Sequence, residues 1–171
     1  MIFGDINKFA IECLDIREVH DKYMKWYYGK VLFRIGDQII GDNSCEETIN
    51  SIAKTIKQMY TYKTFRESIF LYSLSNEEAI RKVYDALYKD DDRTIEQIKM
   101  DSNNYIKYIG LPLGFDAYTN WKVILIEKEK SARYIWMHNE ETPKESYLDY
   151  GEFDTVLANF LKWADDFISV I

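Results

Sequence analysis

The sequence predicts an α+β fold: a single domain over residues 1–171, with a mostly antiparallel sheet packed by two central helices and a long amphipathic C-terminal helix. Three observations carry that expectation. Strand-like segments come first, then two runs with apolar residues at three- and four-residue steps, then strands again, then a last and longer helical run. This order describes layered, segregated elements rather than alternating β-α-β units. Only two prolines and seven glycines leave little room for a long linker. A chain of 171 residues can bury about 70% of its unfolded surface, so it needs neither disulfide nor metal to hold a core.

Each element has its own local reason. KFAIECLDI, residues 8 to 16, reads as a strand, with Phe9, Ile11, Cys13 and Asp15 on one face and Ala10, Leu14 and Ile16 on the other. A polar, aromatic connection through Tyr28 leads to KVLFRI, residues 30 to 35, rich in branched and aromatic residues. Gly36-Asp37 offers turn chemistry before Gln38-Ile39-Ile40, so an antiparallel meander is expected.

Ser44-Cys45-Glu46-Glu47 has the form of a capping box, the serine accepting from a free helix N–H and Glu47 reaching back. Ile49, Ile52, Ala53, Ile56, Met59 and Tyr60 then form one stripe, with Asn50, Lys54 and Lys57 outside it. Ser75-Asn76-Glu77-Glu78 repeats the pattern, followed by Ile80, Val83, Tyr84, Leu87 and Tyr88. Residues 62–74 suit a strand or a helix equally. Asp90-Asp91-Asp92 mark a loop, without the alternating ligands, glycine and distant glutamate of a calcium site.

Gly110, Pro112 and Gly114 punctuate the chain before a hairpin. NWKVILIEK is apolar on both faces in its middle, as an interior strand would be, and ARYIWMH returns after Lys128-Glu129-Lys130-Ser131. The polar residues of this stretch, Asp116, Arg133, His138, Glu140 and Glu141, are thereby spread over two faces and two ends of the ribbon. Tyr147 to Tyr150 form a short strand. Gly151 precedes the last helix, whose stripe is Phe153, Val156, Leu157, Phe160, Leu161, Ala164, Phe167 and Ile168, opposite Asp154, Asn159, Lys162, Asp165 and Asp166.

Composition narrows the function. Lys and Arg number 22 against 29 Asp and Glu, a net charge of -7. Such a surface disfavours direct nucleic-acid binding, which draws its affinity from cationic side chains, and it would steer a basic protein partner. Cys13 lies in an apolar run and reads as a small buried hydrophobe. Cys45 lies near the expected helix start, where a thiol pKa falls. The N-terminus has no basic region followed by an apolar core, and no segment approaches the ~18 apolar residues of a membrane span; the chain is expected in the cytosol. His20 and His138 are the only histidines, and neither sits in a metal-binding spacing. No nucleophile elbow, phosphate-binding glycine loop or Cys-x-x-Cys is present. Glu46-Glu47 and Glu77-Glu78 belong to expected helix starts, where negative charge is favourable. No metal or cofactor is expected, and no catalytic residue is assigned.

IFGDINKFAIEC near the start, FDAYTNWKVILIE, the returning SARYIW, and YLDYGEFDTVLANFLKW together resemble the immunity protein 42 family of bacterial polymorphic-toxin systems. The resemblance implies a protein that binds and neutralises a cognate toxin domain, without a catalytic role. Gly4, Asp5, Phe9 and Trp121 read as fold residues within it. Blocking the toxin's active site is the expected mechanism, and the acidic charge suits a basic toxin such as a nuclease. The resemblance supplies no contact residues. Those are sought among acidic and aromatic groups in connections: Asp90, Asp91, Asp92, Tyr118, Glu140, Glu141 and Tyr147. Two rivals stand beside this reading: a small cytosolic enzyme with a site assembled from distant residues, and an adaptor or regulator binding a non-toxin protein.

Overall fold

The structure, a computed structural model, describes residues 1–20, 22 and 25–168, the side chains of 166–168 excepted. The order of elements is β1 (Ile2–Asp5), β2 (Phe9–His20), β3 (Lys25–Ile35), β4 (Gln38–Ile40), β5 (Glu47–Thr48), α1 (Ile49–Thr61), α2 (Ile69–Ser73), α3 (Asn76–Tyr88), α4 (Ile95–Tyr105), β6 (Trp121–Lys128), β7 (Ser131–His138), β8 (Lys144–Asp149) and α5 (Glu152–Ile168). The α+β class and the antiparallel pairing are as expected, and the strands divide between two sheets. The chain forms two compact units, one of Met1–Thr61, Pro112–Asn120 and the segment from Gly151, the other of Tyr62–Leu111 and Trp121–Tyr150.

In the first unit the sheet runs β1-β2-β3-β4, with β5 also on β3. Phe9 lies 5.0 Å from Phe153 of α5 and 6.2 Å from Phe33 of β3, ring centroid to ring centroid. The stripes of α1 and α5 are buried as their spacing predicts: Ile49, Ile52, Ala53, Ile56 and Met59 in one, Phe153, Val156, Leu157, Phe160, Leu161 and Ala164 in the other. The side chains of Asp166, Phe167 and Ile168 lie outside the described residues. Gly4 has φ +103°, and a Cβ there would sit 2.4 Å from the Phe9 carbonyl oxygen and 2.7 Å from Val156 Cγ2. Glycine at this position lets β1 bend against β2 while α5 approaches closely.

Local pattern misleads at four places in this unit. The expected connection up to Tyr28 is strand: β2 continues to His20 and β3 begins at Lys25. A register shift between Leu14 and Arg17, with Asp15 at φ +52°, marks a bulge. Beyond it several side chains, Arg17, Glu18 and Lys25 among them, point into solvent, so apolar alternation cannot announce the strand. At Ser44 no helix starts. Its N–H and hydroxyl donate to Asp42 Oδ1 at 2.7 and 2.6 Å, and Glu47 joins β5, its carboxylate accepting from Ala117 N–H at 3.0 Å. Cys45 therefore has no helix dipole beside it; burial, then the Asp42 charge, pushes its thiol pKa up rather than down. Cys13 is buried, and its thiol is pushed up to about 12. Asn50, expected on the outer face, is turned inward to accept from Tyr27 N–H at 2.9 Å.

The second unit holds the three-stranded sheet β6-β7-β8. The hairpin is as expected, with Lys128 opposite Ser131 and Glu129 at φ +54° in the turn. Val123 to Glu127 are all buried, in keeping with a strand covered on both faces. Helix α3 packs on β6 and β7, and α2 on β6. The ambiguous residues 62–74 resolve into a turn, a single bridge from Glu67 to Glu127 and the one-turn helix α2. The capping box at Ser75 and Glu78 is made in full. A second one, Thr94 and Gln97, opens α4, a helix that apolar periodicity does not reveal. None of its residues is buried, and Ile95, Ile98 and Met100 are exposed. β8 begins at Lys144, ahead of the expected Tyr147.

Candidate docking surface

Two arginines organise the helical side of the second unit. Arg133 of β7 is buried. It donates to Tyr72 O at 2.9 Å, Leu74 O at 2.8 Å, Asn76 Oδ1 at 2.5 Å and Glu145 Oε2 at 2.6 Å. It thus satisfies carbonyls left over at the end of α2 and holds the first residue of α3. Arg93 does the same for the end of α3, donating to Ala86 O at 2.8 Å, Asp85 O at 3.1 Å and Lys89 O at 2.8 Å. Its remaining contacts are Asp91 at 2.7 Å and Asp101 at 2.8 Å. Hydrogen bonding to Arg93 holds the Asp91 carboxyl below its ordinary pKa.

Held between these pins, α3 presents Glu77, Arg81 and Asp85 at four-residue steps to the outside. An open cavity lies on each side of that row. One, of about 440 Å³, is lined by Phe70 of α2, Arg81 and Asp85 of α3, and Arg93, Asp101 and Tyr105 on the α4 side. The other, of about 420 Å³, is lined by Glu77, Arg81, Asp85 and Tyr84 of α3, Lys122 and Met137 of the hairpin, and Glu140 and Glu141 beyond it. Arg81 and Asp85 belong to both, so the surface is continuous across the helix. The Tyr84 hydroxyl accepts from Val123 N–H at 2.9 Å, and burial pushes its phenol pKa up.

Of the residues sought from sequence, six lie in this unit. Asp91 lines the first cavity, and Asp90 and Asp92 stand exposed beside it. Glu140 and Glu141 line the second, Glu140 at 3.3 Å from Lys122 and Glu141 at 3.7 Å from His138 Nδ1. Tyr147 is 57% exposed on β8, 6.5 Å from the Tyr72 ring and away from both cavity linings. Tyr118 is different. It is 4% exposed in the first unit, and its hydroxyl donates to Val31 O at 2.7 Å. That makes it a core residue with a satisfied polar tip, not the exposed loop residue expected. The sequence reading missed Phe70, Arg81, Asp85 and Arg93. The four-residue spacing of Glu77, Arg81 and Asp85 was visible in the sequence; the proximity of α2 and β7 was not.

Neither histidine lines either cavity. His138 lies against Trp121 at 4.6 Å, ring centroid to ring centroid, and His20 pairs with Glu18 at the end of β2. Among the described residues no group of three or more His, Cys, Asp and Glu side chains is placed to hold a metal ion. The surface offers charge, aromatic area and open concavity.

Comparison with known proteins adds to this geometry. The family model described as immunity protein 42 matches residues 1–163. The crystal structure of CdiI from Burkholderia dolosa superposes with a TM-score of 0.71 at 17% identity, over 95% of this chain and 99% of that one; at that identity the likeness concerns the fold. No curated protein sequence matches.

Proposed function

Because the chain belongs to the immunity protein 42 family, we propose that this toxin immunity protein protects its cell by docking alone, occluding the active site of its cognate toxin with no bond made or broken. The family match runs through both compact units, and the whole chain is taken to act as one immunity domain. The partner that suits a net charge of -7 is a basic toxin domain, such as a nuclease, that the acidic field draws in. Direct nucleic-acid binding has no place in this reading. Protection would be exerted in the cytosol; among the described residues no helix is long and apolar enough to cross a membrane.

The observation that supports docking over turnover is the open surface along α3, with a shallow cavity on each flank and charged side chains at the rims. Contact from this side would engage Asp90, Asp91, Asp92, Glu140 and Glu141, with Tyr147 on the neighbouring strand. Immunity calls for slow release. A nanomolar dissociation constant corresponds to about 12 kcal/mol, which a few well-placed anchors can supply.

The test is paired expression with a cognate toxin domain, sought in the reading frames neighbouring the gene for this chain. Growth should be restored by the chain, the two should co-purify in equal amounts, and the toxin's intact mass should be unchanged. Its activity should return after separation in denaturant. A covalent change in the toxin, or protection without a complex, would refute the docking mechanism.

A further inference from the structure

We infer that the toxin grips this chain by an apolar knob, Ile69 and Phe70 of α2 with Phe65 just before them, and inserts a cationic side chain into the acidic cavity on the other flank of α3. This rests on the docking function proposed above and names the surface and partner chemistry that carry it.

Exposure comes first. Phe65 is 62% exposed, Ile69 68% and Phe70 59%. Three large apolar side chains thus stand exposed within six residues of chain, and exposed apolar groups gathered in one segment mark sites that a partner covers. Their backbone is fixed. Glu127 N–H donates to Arg66 O at 3.0 Å, and Ser68 N–H donates to Glu127 O at 3.1 Å, clipping the segment to the edge of β6. The Arg66 side chain is buried. Ser68 Oγ caps α2 by accepting from Leu71 N–H at 3.2 Å, and Arg133 holds the far end of the same helix. Side chains presented by an anchored backbone lose less freedom on binding, which is the condition for an energetic hot spot.

Charge identifies the occupant. Phe70 shares the first cavity with Arg81 and Asp85, and those two residues carry the surface over into the second. Its lining holds four carboxylates, Glu77, Asp85, Glu140 and Glu141, against two cations, Arg81 and Lys122, and Glu141 also lies 3.7 Å from His138 Nδ1. Glu140 has Lys122 at 3.3 Å, while among the described residues Glu77 and Asp85 have no cation within ion-pair distance. The floor, formed by Ile80, Tyr84, Met137 and Pro143, suits the methylene stem of a lysine or arginine whose head meets the carboxylates. The partner therefore carries an apolar recess and, about one helix diameter (~10 Å) away, a protruding cation. A second copy of this chain fits poorly, since two surfaces of net charge -7 repel. The apolar end holds the complex together, and the acidic end guides its formation.

The probe is the cognate toxin domain identified by paired expression, separated from the co-purified complex and offered to variants of the full chain. Ile69→Asp with Phe70→Asp should weaken binding on the order of 100-fold or more, chiefly through faster release. The melting temperature should fall only slightly, because both side chains are already mostly in water; Phe70→Ala, which adds no charge, should move binding in the same direction. Glu77→Lys with Glu140→Lys should slow association on the order of tenfold and flatten its salt dependence. If the wild-type chain binds tightly and the Ile69/Phe70 variants bind equally well, the knob is not the anchor, while the docking function stands. If the wild-type chain does not bind the toxic domain at all, that function and this inference fall together. A wild-type dimer that the Ile69/Phe70 variants turn into monomer would assign the knob to self-association and overturn the inference.

Discussion

Arg133 shows what one guanidinium does when it sits behind a helix end. Its planar fork reaches the Tyr72 and Leu74 carbonyls at the end of α2, the side chain of Asn76 and Glu145 together, a geometry that lysine, with a single compact head, cannot reproduce. Arg133→Met should lower unfolding stability by about 2 kcal/mol: it leaves two part-buried carbonyls unpaired, while Glu145 is exposed enough to rehydrate. Urea denaturation followed by circular dichroism measures this, and a loss under about 1 kcal/mol would show that water replaces the arginine. The same substitution should also weaken toxin binding, since the guanidinium holds the helix that carries Ile69 and Phe70. Tyr118 teaches the opposite lesson at the same scale. Its residue type suits an interface, yet its ring is buried and its hydroxyl is spent on Val31 O, so residue type alone does not tell exposed from buried.

Two capping motifs of identical form end differently at the scale of elements. Ser75 accepts from Glu78 N–H at 3.3 Å, and the Glu78 carboxylate reaches back to Ser75 N–H at 3.1 Å. Ser44 instead folds onto Asp42, because Glu47 and Thr48 pair with Gly29 and Tyr28 of β3 before the helix begins. Ser75→Ala should therefore cost about 1 kcal/mol, and Ser44→Ala about 0.5 kcal/mol or less, as at an exposed turn. Equal losses in denaturant titrations would contradict the distinction. α4 makes a related point: its cap is legible as Thr-x-x-Gln, but a helix that buries no side chain leaves no apolar stripe to find.

For the whole molecule, charge is the property that acts at a distance. A net charge of -7 should raise the encounter rate with a basic toxin, and salt should cancel much of that gain. Going from about 0.05 to 0.5 M NaCl, the association rate should fall on the order of tenfold while the dissociation rate changes far less, as screening predicts. Stopped-flow mixing resolves the two rates. An association rate indifferent to salt would remove electrostatic steering, and with it the expectation of a basic partner, while leaving apolar docking intact.

Alternation and three-to-four spacing were enough to place the hairpin, the central strand pair, the stripes of α1 and α5 and the Ile80–Val83 part of α3, whose Tyr88 is instead exposed, because each depends on which side of its own element a residue faces. What no local pattern could contain were the meetings of distant residues. Tyr118 and Val31 are 87 positions apart, Ala117 and Glu47 70, and Arg133 and Tyr72 61. Those meetings bury one candidate contact, turn a would-be helix cap into a strand, and set Phe70, Arg81 and Glu140 along one surface. Periodicity reports the face of an element, and packing alone chooses what that face will touch.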